Sequence, residues 1–313
     1  MHRLRPLLTI ALLVAAAAAT TGCKTNVATG RSQFTSMSRE EEIQLGTEAM
    51  PELIQEYGGE VSSTQLRTYV TQVGTTLAQH TEGENPSLPW QFTVLDSDVI
   101  NAFALPGGKV FITSGLMAQF TNEAQLAATL GHEVGHVSAK HVDERITQSS
   151  AISTLGQIAG AVVGYQSADL GQLVSVIVGT GGQGYLLKFG RDQESEADAL
   201  GVRYMVAAGY NPTGMLQVLE VLKREAGGGS QPEILSTHPY PETRLERVNA
   251  LLKGQYASSL NNPSLQLKAE QYAQKAKPYL PAPKGKAPSA GAVRGPEFWC
   301  AHCREAAARA GGR

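Results

Sequence analysis

The segment LGHEVGH at residues 130–136 constrains the fold most strongly, because it places two histidines and a glutamate in a helical pattern. That pattern runs from residue 122 to about residue 147. His132 and His136 stand at i and i+4, so both imidazoles share one helical face and can bind one zinc ion. Glu133 follows the first histidine, where it can accept a proton from water. Apolar residues on another face of the helix argue against the alternative, a polar helix with two surface histidines.

A second helix with acidic residues follows in RDQESEADALG, residues 191–201. A catalytic zinc site needs a third protein ligand and one open position for water. Glu194 and Asp198 are also at i and i+4, whereas Glu196 points roughly 200° away on an ideal helix. We therefore predict one zinc ion per chain, bound by the two histidines and Glu194. Asp198 is predicted to hold a ligand histidine by its other ring nitrogen. Taken alone, these acids would fit the alternative of a solvated helix face.

His141 lies five positions after His136 in the sequence. On a continuous helix this spacing corresponds to a net rotation of about 140°, so His141 does not share the ligand face. We predict a structural role for it.

The first 22 residues have the features of a secretory signal: a basic start, an apolar run and then small residues. The apolar run at residues 7–19 is shorter than the roughly 20 residues of a transmembrane helix. Cys23 after Gly22 resembles the lipobox of bacterial lipoproteins, in which the cysteine is acylated, although Thr20 stands where leucine is usual. We predict a signal peptide at residues 1–22 and a lipid-anchored tether at 23–37. The alternative is an ordinary signal peptide that is cleaved nearby.

The remaining patterns predict an α+β fold that is mainly helical, in a domain at residues 38–256. Ser38 and Glu41 form a capping box before the first helix. Strand-like segments QFTVLDS and VFITSG flank NAFALPGG, which contains a turn sequence. Helical patterns cover residues 63–80, 192–208, 212–225 and 241–253.

Two further stretches have unusual compositions. Residues 151–187 are rich in small apolar residues, and we predict two packed or lid-like helices there. Residues 257–313 are predicted to be a low-complexity, flexible extension, in which Cys300 and Cys303 form an incidental pair. The net charge of −2 gives no overall field that attracts nucleic acid, so we predict no nucleic-acid partner.

The order of these motifs resembles the HtpX-like peptidases, the gluzincin family that also contains the CAAX prenyl proteases. The matching stretches are TGRSQF…EEEIQLG, NAFALPGGKVFITSGLM, HEVGH, HVSAKH, ESEAD and STHPYPETRLERV. The periplasmic lipoprotein branch of the family is the most similar. The resemblance implies a zincin-type fold with a small β-sheet whose edge strand borders the active-site cleft. It also implies zinc-dependent endoproteolysis, with His132, His136 and Glu194 as ligands and Glu133 as the base.

The resemblance also implies roles for residues outside the HEVGH helix. His238 and Arg244, in THPYPETR, are candidates for stabilising the oxyanion. His238 is also a candidate fourth zinc ligand that closes the site at rest. The alternatives are a helix-entry position for His238 and a surface ion pair for Arg244. Substrate is expected to add as a strand to the backbone of the predicted edge strand, at Asn101, Ala102, Phe103 and Ala104.

Two functions follow as hypotheses from these features. The first is a lipid-anchored periplasmic endopeptidase at the outer membrane that removes misfolded or stalled envelope proteins, with residues 151–187 gating its cleft. The second is a chaperone or assembly factor for outer-membrane proteins, in which the zinc site is latent or structural. The expected partners are unfolded or misassembled envelope proteins, the membrane through the N-terminal lipid, and the outer-membrane assembly machinery.

Overall fold

The computed structural model describes residues 23–148, 170–179, 188–227, 232–239 and 241–284. Within these residues the protein is mainly helical with two small sheets, which confirms the predicted α+β class. The strands are β1 (Cys23–Thr25), β2 (Ser32–Phe34), β3 (Gln91–Leu95), β4 (Ala102–Leu105) and β5 (Lys109–Thr113). The helices are α1 (Arg39–Glu56), α2 (Thr64–Ala78), α3 (Ser114–Ala118), α4 (Glu123–Ser138), α5 (Leu170–Gly179), α6 (Arg191–Ala207), α7 (Thr213–Ala226), α8 (Ile234–Thr237), α9 (Pro241–Lys253), α10 (Ala257–Leu260) and α11 (Ala269–Lys275). Residues 141–148 are also helical.

Capping boxes define where α1 and α4 begin. Ser38 Oγ accepts a hydrogen bond from the Glu41 backbone over 3.2 Å, and the Glu41 carboxylate accepts one from the Ser38 backbone over 2.7 Å. Asn122 and Gln125 form the same reciprocal pair at α4, over 3.1 and 3.3 Å. Both boxes satisfy backbone N–H groups that the first turn of a helix leaves without partners. The second box sets the register of the helix that carries HEVGH.

The larger sheet has the strand order β3-β5-β4, with β3 parallel and β4 antiparallel to β5. The predicted edge strand is therefore present, as β4. Its turn into β5 requires glycine, because Gly107 and Gly108 have φ angles of +72° and +86°. A Cβ atom on Gly107 would also lie 2.4 Å from the Cα of Ile43. This contact packs the turn tightly against α1.

The pairing of β4 with β5 determines which of its backbone groups face outward. The Thr113 backbone N–H donates to the carbonyl of Asn101 over 3.0 Å. Hydrogen-bonded and non-hydrogen-bonded pairs alternate along an antiparallel ladder. The backbone groups of Ala102 and Ala104 therefore point away from β5, towards the outer edge of the sheet, and both residues are buried there.

The N-terminal hairpin of β1 and β2 packs against the C-terminal end of α4. Asn26 Nδ2 donates to the carbonyl of Ser138 and Gln33 Nε2 to that of Ala139, each over 2.9 Å. These bonds satisfy carbonyls at the end of the helix. The segment predicted as a tether, residues 23–37, is thus in contact with the domain. Residues 1–22 lie outside the described residues.

Residues 257–284, the first part of the predicted low-complexity extension, pack on the domain. Tyr272 is fully buried, and its hydroxyl donates to the carbonyl of Met117 over 2.6 Å. The carbonyls of Leu267 and Lys268 accept hydrogen bonds from the Ala124 and Glu123 backbones, over 3.1 and 3.4 Å. The segment therefore covers the start of α4. Residues 285–313, which include both predicted partner cysteines, lie outside the described residues.

Most of the stretch predicted as two lid-like helices, residues 151–187, lies outside the described residues. The part within them, α5, contributes Val174 and Ile177 to an apolar cluster that also contains Leu45 and Leu53 of α1 and Phe103 of β4. In the described part of the chain, no helix combines the length and apolar character that crossing a membrane requires.

Candidate metal centre

Glycines let α4 and α6 cross closely at the HEVGH motif. A Cβ on Gly135 would lie 2.9 Å from the carbonyl oxygen of Ala197. A Cβ on Gly201 would lie 2.9 Å from the backbone nitrogen of His132. Larger residues at these positions would push the two backbones apart, and the crossing brings Glu194 of α6 next to both histidines of α4.

Four buried side chains place ligand atoms within 4.8 Å of one another: His132, His136, Glu194 and His238. The Nε2 atoms of His132 and His136 are 3.0 Å apart. Glu194 carboxylate oxygens lie 3.6 Å from His132 Nε2 and 3.4 Å from His136 Nε2. His238 Nδ1 lies 3.0 Å from Glu194 Oε1 and 3.3 Å from His132 Nε2. The structure thus brings together the three predicted ligands and the candidate fourth.

The arrangement fits a zinc ion by spacing and by chemistry. Ligand atoms bound tetrahedrally at about 2.0–2.1 Å lie about 3.3 Å from one another, close to the distances found here. Three imidazole nitrogens and a carboxylate oxygen are donors that zinc prefers. Glu194 Oε2 accepts no hydrogen bond from the described residues and is paired only electrostatically, with Arg244 Nη1 at 2.7 Å, so its lone pairs remain available to a bound cation.

Asp198 and Arg244 support this set from behind. Asp198 Oδ1 lies 2.8 Å from His132 Nδ1, the arrangement predicted from the sequence. Arg244 donates to both Asp198 oxygens, over 2.8 and 2.7 Å. Its Nη1 lies 2.7 Å from Glu194 Oε2, although the two atoms are not aligned as a hydrogen bond. The guanidinium is therefore engaged with two carboxylates, and its role as an oxyanion donor stays a prediction.

The Arg244 guanidinium lowers the pKa of both carboxylates, Glu194 and Asp198. Burial alone would raise the pKa of Glu194, but Arg244 and His238 more than offset it and hold that pKa well below its ordinary value. Burial would likewise raise the pKa of Asp198, but Arg244 outweighs this effect, so the pKa of Asp198 is also lowered. Both carboxylates are consequently ionised at neutral pH and available to a cation and to a ligand histidine.

Glu133 and His238 face each other next to the ligand set. Glu133 is 1% exposed, and neither carboxylate oxygen has a hydrogen-bond partner among the described residues. Burial raises its pKa, while His238 and His132 partly offset this. His238 Nε2 lies 3.6 Å from Glu133 Oε1. Burial acts against protonation of His238, but Glu194 and Glu133 outweigh it, so that its pKa is raised.

The segment that carries His238 is tied to the start of the edge strand. Asn101 Nδ2 donates to Glu233 Oε1 over 2.9 Å, and Tyr57 Oη donates to the same carboxylate. The Ile234 backbone also donates to the carbonyl of Ile100 over 3.2 Å. Asn101, predicted as part of a substrate strand, therefore uses its side chain to hold the neighbouring segment. The other three predicted substrate-strand residues, Ala102, Phe103 and Ala104, are all buried, and only the two alanines have backbone groups directed away from β5.

The structure adds one group of residues that the sequence reasoning did not assign to the site. His141 Nδ1 lies 2.9 Å from His136 Nδ1, and its Nε2 lies 2.9 Å from Glu196 Oε2. The rotation argument assumed a continuous helix, but α4 ends at Ser138 and Lys140 has a φ of +55°. This break returns His141 to the back of His136. The available signal was the stretch HVSAKH, which ends in His141.

Two histidines and a glutamate from one helix, joined by a carboxylate from a second helix, define a metallopeptidase of the HExxH class. A sequence model of Peptidase family M48 matches residues 64–252. The chain belongs to this family, which confirms the resemblance to HtpX-like gluzincins.

Named relatives of the chain are proteases. It is 32% identical over 223 residues to the beta-barrel assembly-enhancing protease of Escherichia coli K12, covering 69% of this chain and 45% of that protein. It is 31% identical over 226 residues to the mitochondrial metalloendopeptidase OMA1 of Schizosaccharomyces pombe, covering 71% and 64%. For OMA1 of Arabidopsis thaliana the identity is 36% over 165 residues, covering 53% and 31%. The chain spans less than two thirds of each of these relatives.

Proposed function

We propose that the protein is a zinc-dependent endopeptidase that cleaves misfolded or stalled proteins of the bacterial cell envelope. The observation that carries this proposal is the buried set of three histidines and a glutamate with the unpaired carboxylate of Glu133 beside it. The name of the Escherichia coli relative, a protease that enhances β-barrel assembly, supports outer-membrane proteins as substrates and their assembly machinery as a partner. The lipobox-like Cys23 supports a periplasmic location with a lipid anchor in the outer membrane.

His132, His136 and Glu194 would hold the zinc ion. When bound, zinc supplies Lewis-acid chemistry, which acidifies water and polarises a peptide carbonyl. Asp198 fixes the orientation of His132 through the 2.8 Å contact to Nδ1, and so leaves Nε2 directed at the other ligands. Arg244 keeps Asp198 in place.

Glu133 moves the proton in this mechanism. It accepts a proton from the attacking water and passes it to the leaving amine. Its two oxygens are buried and accept no hydrogen bond from the described residues, so their lone pairs are not engaged by the protein. Burial raises the pKa of Glu133, which favours retention of the proton until the amine departs.

The edge strand β4 is proposed to bind the substrate backbone. An extended chain can pair with the outward backbone groups of Ala102 and Ala104 only after the residues that bury this edge have moved, because both alanines are almost fully buried in the structure. Such pairing selects for unfolded chain more than for sequence, because it uses main-chain groups. Residues 151–187 are proposed to gate this edge, and α5, the described part of that stretch, supports this because it belongs to the same apolar cluster as Phe103.

Zinc dependence is the first test of this function. We expect the chain from Cys23 onward, loaded with zinc, to cleave unfolded casein but not a stably folded protein. Removal of zinc with a chelator should abolish cleavage, and added zinc should restore it. Peptide products can be measured by fluorescence of labelled casein. Cleavage that persists at full rate after zinc removal would contradict the proposal.

His238 favours a second candidate function, a chaperone or assembly factor with a latent zinc site. Four protein ligands are typical of closed, structural zinc sites, whereas catalytic sites keep one position for water. His238 Nδ1 lies among the ligand atoms, so it can take that position.

Replacement of His238 with alanine separates the two candidates. If His238 closes the site and about one tenth of the molecules are open at rest, casein cleavage should rise about tenfold. A fall in kcat with unchanged zinc affinity would instead assign His238 to stabilisation of the oxyanion. Inactivity of both forms, with full zinc occupancy, would favour the structural site. The exposed His80 provides a matched histidine-to-alanine control.

A further inference from the structure

The side of His136 that faces away from the metal centre contacts residues with no part in the mechanism above. Its Nδ1 lies 2.9 Å from Nδ1 of His141. His141 Nε2 in turn lies 2.9 Å from Glu196 Oε2. Arg31 donates to both oxygens of Glu196, over 3.3 and 3.1 Å. A continuous series of polar contacts thus connects the N-terminal hairpin to a predicted zinc ligand.

This series allows one arrangement of hydrogens when both histidines are neutral. The Glu196 carboxylate only accepts, so the Nε2 atom of His141 carries the hydrogen. The Nδ1 atom of His141 then has a lone pair and accepts, so Nδ1 of His136 must carry its hydrogen. His136 Nε2, the atom that faces the other ligand atoms, is left with its lone pair free. This is the form in which histidine binds a metal.

The two ligand histidines on α4 are therefore supported in different ways. His132 contacts the carboxylate of Asp198 directly, over 2.8 Å. His136 reaches a carboxylate only through the second imidazole. His141 is fully buried, and Phe189 stacks on the His136 ring with centroids 3.9 Å apart. Because the ring is enclosed, its hydrogen-bond partner is His141.

We propose that His141, held by Glu196 and Arg31, is a positioning residue that sets the tautomer and orientation of His136 for metal binding. This inference rests on the proposed zinc site. It makes the hairpin loop part of the metal centre, because Arg31 lies between β1 and β2 and also binds both oxygens of Glu144, over 2.7 and 3.0 Å. The segment predicted as a tether then contributes to zinc affinity.

The test compares two substitutions of similar size at His141. Leucine cannot hydrogen-bond, so His141→Leu should raise the Kd for zinc by roughly 10- to 100-fold. In His141→Gln the amide oxygen can accept from His136 and the amide nitrogen can donate to Glu196, so the Kd should stay within about threefold of the original value. Zinc affinity is measured by competition with a chromophoric chelator, and the visible spectrum of bound cobalt reports ligand geometry. His80→Leu is the matched control.

Two substitutions nearer the surface test the outer part of the series. The side chains of Arg31 and Glu196 are 39% and 21% exposed, so Arg31→Met and Glu196→Gln are expected to fold. Each should weaken zinc binding in the same direction as His141→Leu but by less, about three- to tenfold. If His141→Leu lowers the melting temperature of the metal-free protein, its zinc affinity no longer reports on the hydrogen bond alone. The zinc affinities of Arg31→Met and Glu196→Gln then test the proposed role of His141.

The outcomes separate this inference from the proposed function. If the unsubstituted protein binds no zinc, the proposed function fails and the inference fails with it. If it binds zinc and His141→Leu binds equally well, only the inference is overturned. Equal weakening by leucine and glutamine would also overturn it, since the role of His141 would then be packing. Unchanged zinc affinity in both Arg31→Met and Glu196→Gln would show that the N-terminal hairpin does not contribute to zinc binding.

Discussion

Replacement of Glu133 with glutamine is expected to lower kcat for casein cleavage by roughly 10²- to 10⁴-fold, because the substitution removes the proposed general base. Glutamine has nearly the same shape and no charge, and Glu133 has no hydrogen bond to the described residues that the change would break. Zinc content and melting temperature should therefore stay close to those of the unsubstituted protein. Initial rates on labelled casein, metal analysis and thermal unfolding provide the three measurements.

The control for this substitution is Glu220→Gln, which makes the same chemical change at an exposed position of α7. It should leave the rate unchanged. If Glu133→Gln retains full turnover while it binds zinc normally, another group transfers the proton and the assignment of Glu133 is wrong. If it loses zinc as well, the rate does not measure proton transfer, and the zinc-saturated enzyme must be compared instead.

Replacement of Arg244 with methionine is expected to lower the free energy of unfolding of the metal-free protein by about 3–5 kcal/mol, the typical cost of leaving a buried charge without its partner. Arg244 is 5% exposed and lies within hydrogen-bonding distance of carboxylate oxygens of Glu194 and Asp198. Without the guanidinium, both carboxylates remain buried without that compensating charge. Added zinc should recover part of the loss, because it also compensates Glu194. Urea unfolding with and without zinc measures both effects.

Arg247 on the same helix is the matched control, since its side chain is 45% exposed and donates to the hydroxyl of Ser195. Exposed ion pairs contribute about 0–1 kcal/mol, so Arg247→Met should change stability little. If Arg244→Met instead keeps its stability but loses activity, then Arg244 serves the reaction and not the carboxylates. That result would favour the role of oxyanion donor.

Much of the candidate site followed from local spacing in the sequence. Two histidines at i and i+4 share a helical face wherever the helix lies, and Glu194 and Asp198 share one for the same reason. The structure places Glu194 at the ligand set and Asp198 against the far nitrogen of His132. Helical geometry also separated Glu196 from the ligands, since its carboxylate faces His141 and Arg31 instead.

Other parts depended on contacts between segments that are distant in the chain. His141 was expected to be off the ligand face and structural, and it is outside the ligand set, but its contact with Nδ1 of His136 was not foreseen because the prediction continued α4 past Ser138, where the helix ends. The local pattern did not show that Lys140 adopts a left-handed conformation. Arg244 was a candidate for the oxyanion, and its burial against two carboxylates depends on how α9 packs on α6.

By itself the sequence determined the chemistry of this protein and the elements that carry it: a helix with HEVGH, a second helix with Glu194 and Asp198, and a mainly helical α+β fold. These features depend on residues a few positions apart, which the period of a helix relates directly. Only the tertiary structure decided that His238 joins the ligand atoms and that His141, Glu196 and Arg31 support His136 from behind. Those contacts join residues up to 165 positions apart, and chain packing rather than helical period brings them together.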